Sequence, residues 1–305
     1  MKMPQQRSLL SGAVRPVGAV GPSRLGTAQI DYRPVRDILT RATGFMDAYD
    51  FTLNPYAGCA FGCTYCYAAF FSRSTAERDA WGEWVRVKEN AVDLLARRHA
   101  GSLDGKLIYM SSVTDPYQPI ERKLDLTRGL LRELAASHRP RLVVQTRSPD
   151  VLRDADLFAE IVARGGRVQV NMTVTTDDED VRRAFEPSCP GNQQRLEAVA
   201  GLAERRVDTC VTMTPLLPVQ DAERFAGELR RTGVEHFIVQ PFHFQRGKFV
   251  AGTRDAALGI VAAKLGGDAN NVMGRYLEHY GEVREVLRRR LPRLGEGKAG
   301  FRPPF

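Results

Sequence analysis

The chain has 305 residues, 43% hydrophobic and 26% charged, with a formal net charge of +8. That length accommodates one large domain or two small ones, and the composition is ordinary for a globular protein rather than a disordered or fibrous one. No apolar run approaches the roughly eighteen residues of a membrane span, and the first residues hold no secretory apolar stretch, so the expectation is a cytoplasmic protein with no membrane partner.

The charge is unevenly placed. Residues 1–29 carry Lys2, Arg7, Arg15 and Arg24 with no acid, residues 275–305 carry eight Lys or Arg against four Glu, and the charges between cancel. Basic ends can tether nucleic acid, though solubilising ends are the commoner case.

In chain order, residues 1 to about 45 are rich in Gly, Pro, Ser and Arg without periodicity, and read as an irregular basic arm. A core of residues 46–250 follows, with candidate strands at Phe51–Leu53, Leu107–Ser112, Leu142–Thr146, Val168–Val174, Thr209–Thr214 and Phe237–Gln240. Their length and Val/Ile/Thr content suit buried parallel strands. Helical patterns lie between them at Val85–His99, Leu124–His138, Pro149–Arg164, Gln194–Arg206 and Asp221–Thr232, the third stopped by Gly165-Gly166 and the last by Gly233. Residues 251–305 read as a helical extension with a basic tail. Strands alternating with helices give an α/β fold, expected as a partial (β/α)6 barrel; a doubly wound sheet has the same alternation.

The densest chemistry is Asn54-Pro55-Tyr56-Ala57-Gly58-Cys59-Ala60-Phe61-Gly62-Cys63-Thr64-Tyr65-Cys66-Tyr67, placed after the first candidate strand of the core. Parallel α/β folds carry their sites at that end of a strand. Three thiolates in C-x3-C-x2-C spacing are soft ligands suited to an iron–sulfur cluster, and Gly58 and Gly62 let the loop curl. Three cysteines leave one iron of a [4Fe–4S] cluster open to a small chelator. A zinc site would need a fourth ligand, which His99 or Cys189 could supply only through the fold, and a purely electron-carrying cluster would want a fourth cysteine.

The C-x3-C-x2-C spacing with an aromatic, Tyr65, before the last cysteine resembles the motif of the radical S-adenosylmethionine (SAM) superfamily. The wider stretch from Leu53 to Ala68, with Thr114-Asp115-Pro116-Tyr117-Gln118-Pro119-Ile120-Glu121, Leu152-Arg153-Asp154 and Thr214-Pro215-Leu216-Leu217-Pro218, is similar to the spore photoproduct lyase-related branch. The resemblance implies that Cys59, Cys63 and Cys66 hold a [4Fe–4S] cluster with SAM on its open iron. One electron from an external reductant such as flavodoxin or ferredoxin then cleaves SAM to a 5′-deoxyadenosyl radical, which takes hydrogen from the substrate. The cofactor carries that chemistry; the protein orients and shields it.

Candidate SAM-binding residues are Tyr65, Ser112, Thr114, Arg147, Asn171, Thr173 and Thr214, each at or beyond the end of a strand, Tyr65 excepted, which lies in the cysteine loop. Relatives in the branch generally have lysine where this chain has Arg147; arginine keeps the charge and adds a bidentate fork. Asp115, Tyr117, Gln118 and Glu121 are expected to rim the mouth, the acids and Tyr117 as catalytic candidates. Cys189, in a Pro-Ser-Cys-Pro-Gly turn, is a candidate hydrogen donor, whereas Cys210 reads as a small core residue. The substrate class stays open among a small molecule, a nucleotide and a DNA lesion. Two other classes also remain: a nucleic-acid-binding module stapled by a metal or cluster, and a non-catalytic iron–sulfur protein.

Overall fold

Strand formation begins earlier than the composition of the N-terminal arm suggests. The computed structural model describes residues 21–243, 253–266 and 271–305, so Lys2, Arg7 and Arg15 and the expected core boundary at residue 250 lie outside the described residues. Within the arm, β1 (Arg24–Leu25), β2 (Ala28–Arg33) and β3 (Leu39–Arg41) correct the irregular reading. Ala28 and Ile30 are buried with Gln29 exposed between them, a short period-two signal.

β4 (Phe51–Leu53) leads into β5 (Tyr56–Gly58), which ends at the cysteine loop. After a short helix α1 (Thr75–Asp79) comes β6 (Trp84–Lys88), where the sequence suggested the start of a helix. Val85 and Val87 are fully buried and their neighbours half-exposed, so strand alternation prevails and only α2 (Ala91–Ala96) remains helical. These strands form a small sheet in the order β1-β2-β6-β5.

The main sheet adds β7 (Leu107–Met110), β8 (Arg141–Thr146), β9 (Arg167–Thr173), β10 (Asp208–Met213), β11 (His236–Val239) and β12 (Arg293–Glu296). Its order is β12-β11-β10-β9-β8-β7-β4-β3, parallel throughout except for the β3–β4 pair. Apart from the skipped β5 and β6, the strands lie side by side in chain order with no reversal. That is barrel-type winding; a doubly wound sheet reverses at a switch point. β12 is a seventh parallel strand within a segment expected to be helical.

The connecting helices are α3 (Glu121–Leu124), α4 (Leu126–Ser137), α5 (Ala155–Ala163), α6 (Glu179–Phe185), α7 (Asn192–Glu204) and α8 (Ala222–Arg231). α9 (Asp255–Leu265), α10 (Val272–Arg290) and the single turn α11 (Gly297–Gly300) complete the chain. One face of the sheet packs Ile108, Met110, Val144, Val170, Met172 and Val211 into the main core shared with the helices. The other face packs Tyr109, Val143, Cys210 and Ile238 against Tyr49 and Phe301.

The sheet curves. β3 and β12 are its two edges, yet Lys298, just after β12, donates to Gly44 O at 2.9 Å and to Asp47 at 2.6 Å, beside β3. Tyr49 donates to Phe301 O at 3.0 Å. Side chains and the C-terminal turn thus bridge the two edges of a partial barrel.

Candidate functional site

The loop bearing Cys59, Cys63 and Cys66 lies at the C-terminal end of the parallel strands, and its course is set by close packing. Gly58 has φ +76°, and a Cβ there would fall 2.5 Å from Trp84 O. Gly62 has φ +60° and faces Gly82, where a Cβ would come within 2.8 Å of Gly62 Cα. Only glycine fits these approaches. Backbone turns Gly62 N→Cys59 O and Cys66 N→Cys63 O, both 3.2 Å, curl the loop. Thr114 Oγ1 donates to Gly58 O at 2.6 Å, and Gln118 Oε1 accepts from Ala60 N at 2.9 Å. The end of α6 holds the far side, with Thr64 N on Phe185 O at 2.9 Å.

All three cysteines are free thiols, Cys59 and Cys63 buried and Cys66 half-buried. They are close enough to influence one another's ionisation: burial pushes Cys59 well up, with Asp115, Cys63 and Cys66 adding to it, and burial pushes Cys66 up to about 12. A hydrogen bond from Cys189 pulls Cys63 down, against burial and with help from Arg147. Among the described residues no three His, Cys, Asp or Glu side chains converge on a single-ion site. Three soft donors on a glycine-curled loop fit the corners of an iron–sulfur cube, whose irons take thiolates and displace these protons.

Arg147 follows β8 and is the cation of the site. Its Nη1 donates to Tyr65 OH at 2.6 Å and to Glu186 Oε1 at 2.9 Å. Glu186 is fully buried; it also accepts from Tyr65 OH at 2.5 Å, Thr175 Oγ1 at 3.0 Å and the fully buried Arg195 at 2.5 Å. Burial raises the Glu186 pKa, but Arg195 and Arg147 outweigh it and hold it at about 2. Asp115 accepts from Arg147 N at 2.9 Å, Thr146 Oγ1 at 2.7 Å and Tyr117 N at 2.9 Å, fixing the turn that presents Arg147. Burial raises the Asp115 pKa against those hydrogen bonds.

The Radical SAM superfamily model matches residues 53–231, more than half of the chain. This chain belongs to the radical SAM superfamily. Spore photoproduct lyase with bound AdoMet and dinucleoside spore photoproduct superposes with a TM-score of 0.57 at 14% identity, covering 89% of this chain and 82% of that one. A second form with the dinucleoside gives 0.55 at 14% identity, over 88% and 81%. These likenesses show a shared fold. An uncharacterized protein of Methanocaldococcus jannaschii is 36% identical over 59% of this chain and 66% of its own length. An uncharacterized protein of Mycobacterium tuberculosis is 27% identical over 65% and 60%. The matches therefore span just under two thirds of these curated relatives.

Within this radical SAM fold the candidate residues fall into three groups. Tyr65, Arg147 and Asp115 stand with the cysteine loop, and Cys189 joins them: its Sγ lies 3.6 Å from Cys63 Sγ and 4.0 Å from Phe61 O. Thr114 is tied to the loop backbone. Ser112 accepts from Asn54 Nδ2 at 3.4 Å, and its carbonyl accepts from Tyr67 OH.

Asn171 and Thr173 form part of a polar belt inside the barrel. Gln145 Nε2 donates to Thr173 Oγ1 at 2.8 Å and Thr212 Oγ1 at 3.0 Å, and Gln169 donates to Asn171 Oδ1 at 2.8 Å. Thr214 is half-buried after β10, its peptide bond to Pro215 cis.

The side chains of Tyr117 and Glu121 stand apart from the Arg147 network. Tyr117 OH donates to Asp154 at 3.1 Å, and Glu121 accepts from Tyr56 OH, Thr127 N at 3.0 Å and Arg153 at 2.9 Å. This buried network joins the Asn-Pro-Tyr stretch, the Asp115–Glu121 stretch and Leu152-Arg153-Asp154, which explains why those three motifs occur together. Cys210 is buried on the concave face, as its strand position suggested.

Sequence reasoning missed Glu186 and Arg195, which no short motif marks. It also missed Ser111, whose buried hydroxyl has no hydrogen-bond partner among the described residues and whose φ is +71°. A non-glycine residue in that region is a strained position; β7 ends at Met110, two residues short of the strand end expected at Ser112.

Proposed function

We propose that this chain cleaves SAM reductively at a [4Fe–4S] cluster held by Cys59, Cys63 and Cys66, and uses the product to take hydrogen from a substrate, in the manner of spore photoproduct lyase. The supporting observation is the loop of three free thiols at the C-terminal end of a parallel barrel, with the Arg147 guanidinium bonded to Tyr65 of that loop at 2.6 Å. When bound, the cluster and SAM supply one-electron cleavage of a sulfonium to a 5′-deoxyadenosyl radical; the electron comes from an external reductant such as flavodoxin or ferredoxin.

The residues do the rest. Only Nη1 of Arg147 is committed to protein partners among the described residues, which leaves the remainder of its fork for the SAM carboxylate. Glu186 and Arg195 hold Arg147 and Tyr65 in place, and Asp115 fixes the backbone of Arg147. Ser111, at the end of β7 with its amide on Leu53 O, offers an uncommitted hydroxyl for the SAM amino group or ribose. The belt of Gln145, Asn171, Thr173 and Thr212 gives the interior uncharged hydrogen-bonding groups, which suit a polar neutral substrate portion such as a nucleobase.

Anaerobically reconstituted protein, reduced and given SAM, should yield 5′-deoxyadenosine. Dinucleotide spore photoproduct offered to the same preparation tests the finer reading: reversal to the thymine dinucleotide supports it, and no reversal by protein that cleaves SAM removes it.

A further inference from the structure

The end of the barrel opposite the cysteine loop is where the parallel strands begin, and a row of arginines stands there. Arg141 opens β8, Arg167 opens β9, and Arg206 lies two residues before β10. Arg141 is the register partner of Arg167. Arg206, in the turn that ends α7 (φ +58°), lines the same cavity as Arg167. All three are exposed, and among the described residues none of their side chains makes a hydrogen bond or ion pair.

Neighbouring bases on this rim do have acids: Arg139 has Asp104 at 3.0 Å, Lys106 has Asp50 at 3.8 Å and Arg293 has Glu235 at 3.8 Å. Like charges directly opposite on adjacent strands destabilise a sheet. The arginine row therefore carries a repulsion that no ion pair among the described residues relieves, and an external anion would offset it.

Strands lie about 4.8 Å apart, so the three charges extend over roughly 10 Å before side-chain reach is added. A single phosphate spans one or two guanidiniums; a phosphodiester backbone, with about one charge per 3.4 Å of rise along a strand, meets the whole row. Beside the row lies a cavity of about 360 Å³, walled in part by Arg167, Arg206, Gln169, His236 and Phe305. That volume admits a nucleobase, with a ring to stack on and hydrogen-bonding groups to meet its edge. Asp208 and Glu235 also line the cavity, which keeps phosphates on the rim and admits an uncharged group. A duplex has no base free to enter.

We propose that this face binds a single-stranded nucleic-acid segment, its phosphates on Arg141, Arg167 and Arg206 and one base in the adjoining cavity. The site is independent of the cluster chemistry and lies at the far end of the same strands.

The test is fluorescence anisotropy of labelled single-stranded DNA and RNA oligonucleotides with the full chain across a salt series. A triple variant Arg141→Gln, Arg167→Gln, Arg206→Gln is compared with Arg288→Gln, Arg289→Gln, Arg290→Gln on α10, which removes the same charge elsewhere. The row variant should bind at least about tenfold more weakly, its log–log salt slope smaller by about 2, with the control close to the parent. Hydrogen exchange on the parent should show oligonucleotide protection around residues 139–141 and 164–168. Binding of either DNA or RNA supports the proposal and identifies the polymer. Equal losses in both triples, preference for duplex, protection confined elsewhere, or binding to phosphatidylglycerol vesicles but not to oligonucleotides would overturn it.

Discussion

Glu186 accepts hydrogen bonds from Tyr65, Arg147, Thr175 and Arg195, and burial would neutralise it were those guanidiniums absent. Its folded pKa of about 2 lies below the ordinary carboxylate value of about 4.3. The sign of the linkage follows: this group stabilises the fold fully above its unfolded value, and the contribution, on the order of 3 kcal/mol, is lost as pH falls towards about 2. Glu186→Gln should therefore cost about 3–5 kcal/mol at neutral pH, because the buried Arg195 and the half-buried Arg147 lose their counter-charge, and flatten the acid limb of the stability profile. Urea denaturation of both proteins between about pH 3 and 7 checks this; equal slopes would contradict the assignment.

At Arg147, replacement by Ala should cut SAM cleavage by about tenfold or more while Lys restores part of it, since Lys keeps the charge and loses the fork. The cysteines were legible from spacing alone. Glu186 and Arg195 were not, because they follow and belong to different helices and meet only beneath Arg147. Tyr117 and Glu121 were placed at the mouth because they follow β7, but α3 begins at Glu121 and turns its carboxylate to the first amides of α4.

Among the elements, the cysteine loop depends on two glycines in left-handed conformations pressed against Trp84 and Gly82. Gly58→Ala should destabilise the protein by about 1–3 kcal/mol and lower the iron it retains after reconstitution, because the loop must move off Trp84 to admit the methyl. Gly227, in α8, has open space at its Cβ and serves as the control. There Gly→Ala should leave iron content unchanged. Parallel strands were readable to within a residue or two because they are buried runs of Val, Ile, Leu and Thr. β6 was misread because Val85, Val92 and Leu95 mimic a helical stripe; Val87, fully buried on the same side as Val85, is the residue that separates the two periods. β12 escaped notice because Arg-Leu-Gly-Glu carries no apolar pattern and pairs only as the edge beside β11.

For the whole molecule, chain-order parallel winding and the contacts across the sheet edges make a partial barrel with the thiols at one end and the arginine row at the other. Phe301 packs with Tyr49 and Ile238 on the concave face, so Phe301→Ala should lower stability by about 3 kcal/mol, read by thermal or urea unfolding. The barrel class was visible in the strand–helix alternation; its distinction from a doubly wound sheet required strand order, a long-range property that local periodicity does not carry. The central claim is that the three thiols seat a cluster that cleaves SAM. Its most direct measurement is 5′-deoxyadenosine, separated by chromatography after reduced, anaerobically reconstituted protein is incubated with SAM. The account predicts that product from the parent and none from variants in which Cys59, Cys63 or Cys66 is alanine. A parent that holds iron and sulfide in equal amounts yet forms no 5′-deoxyadenosine would contradict it.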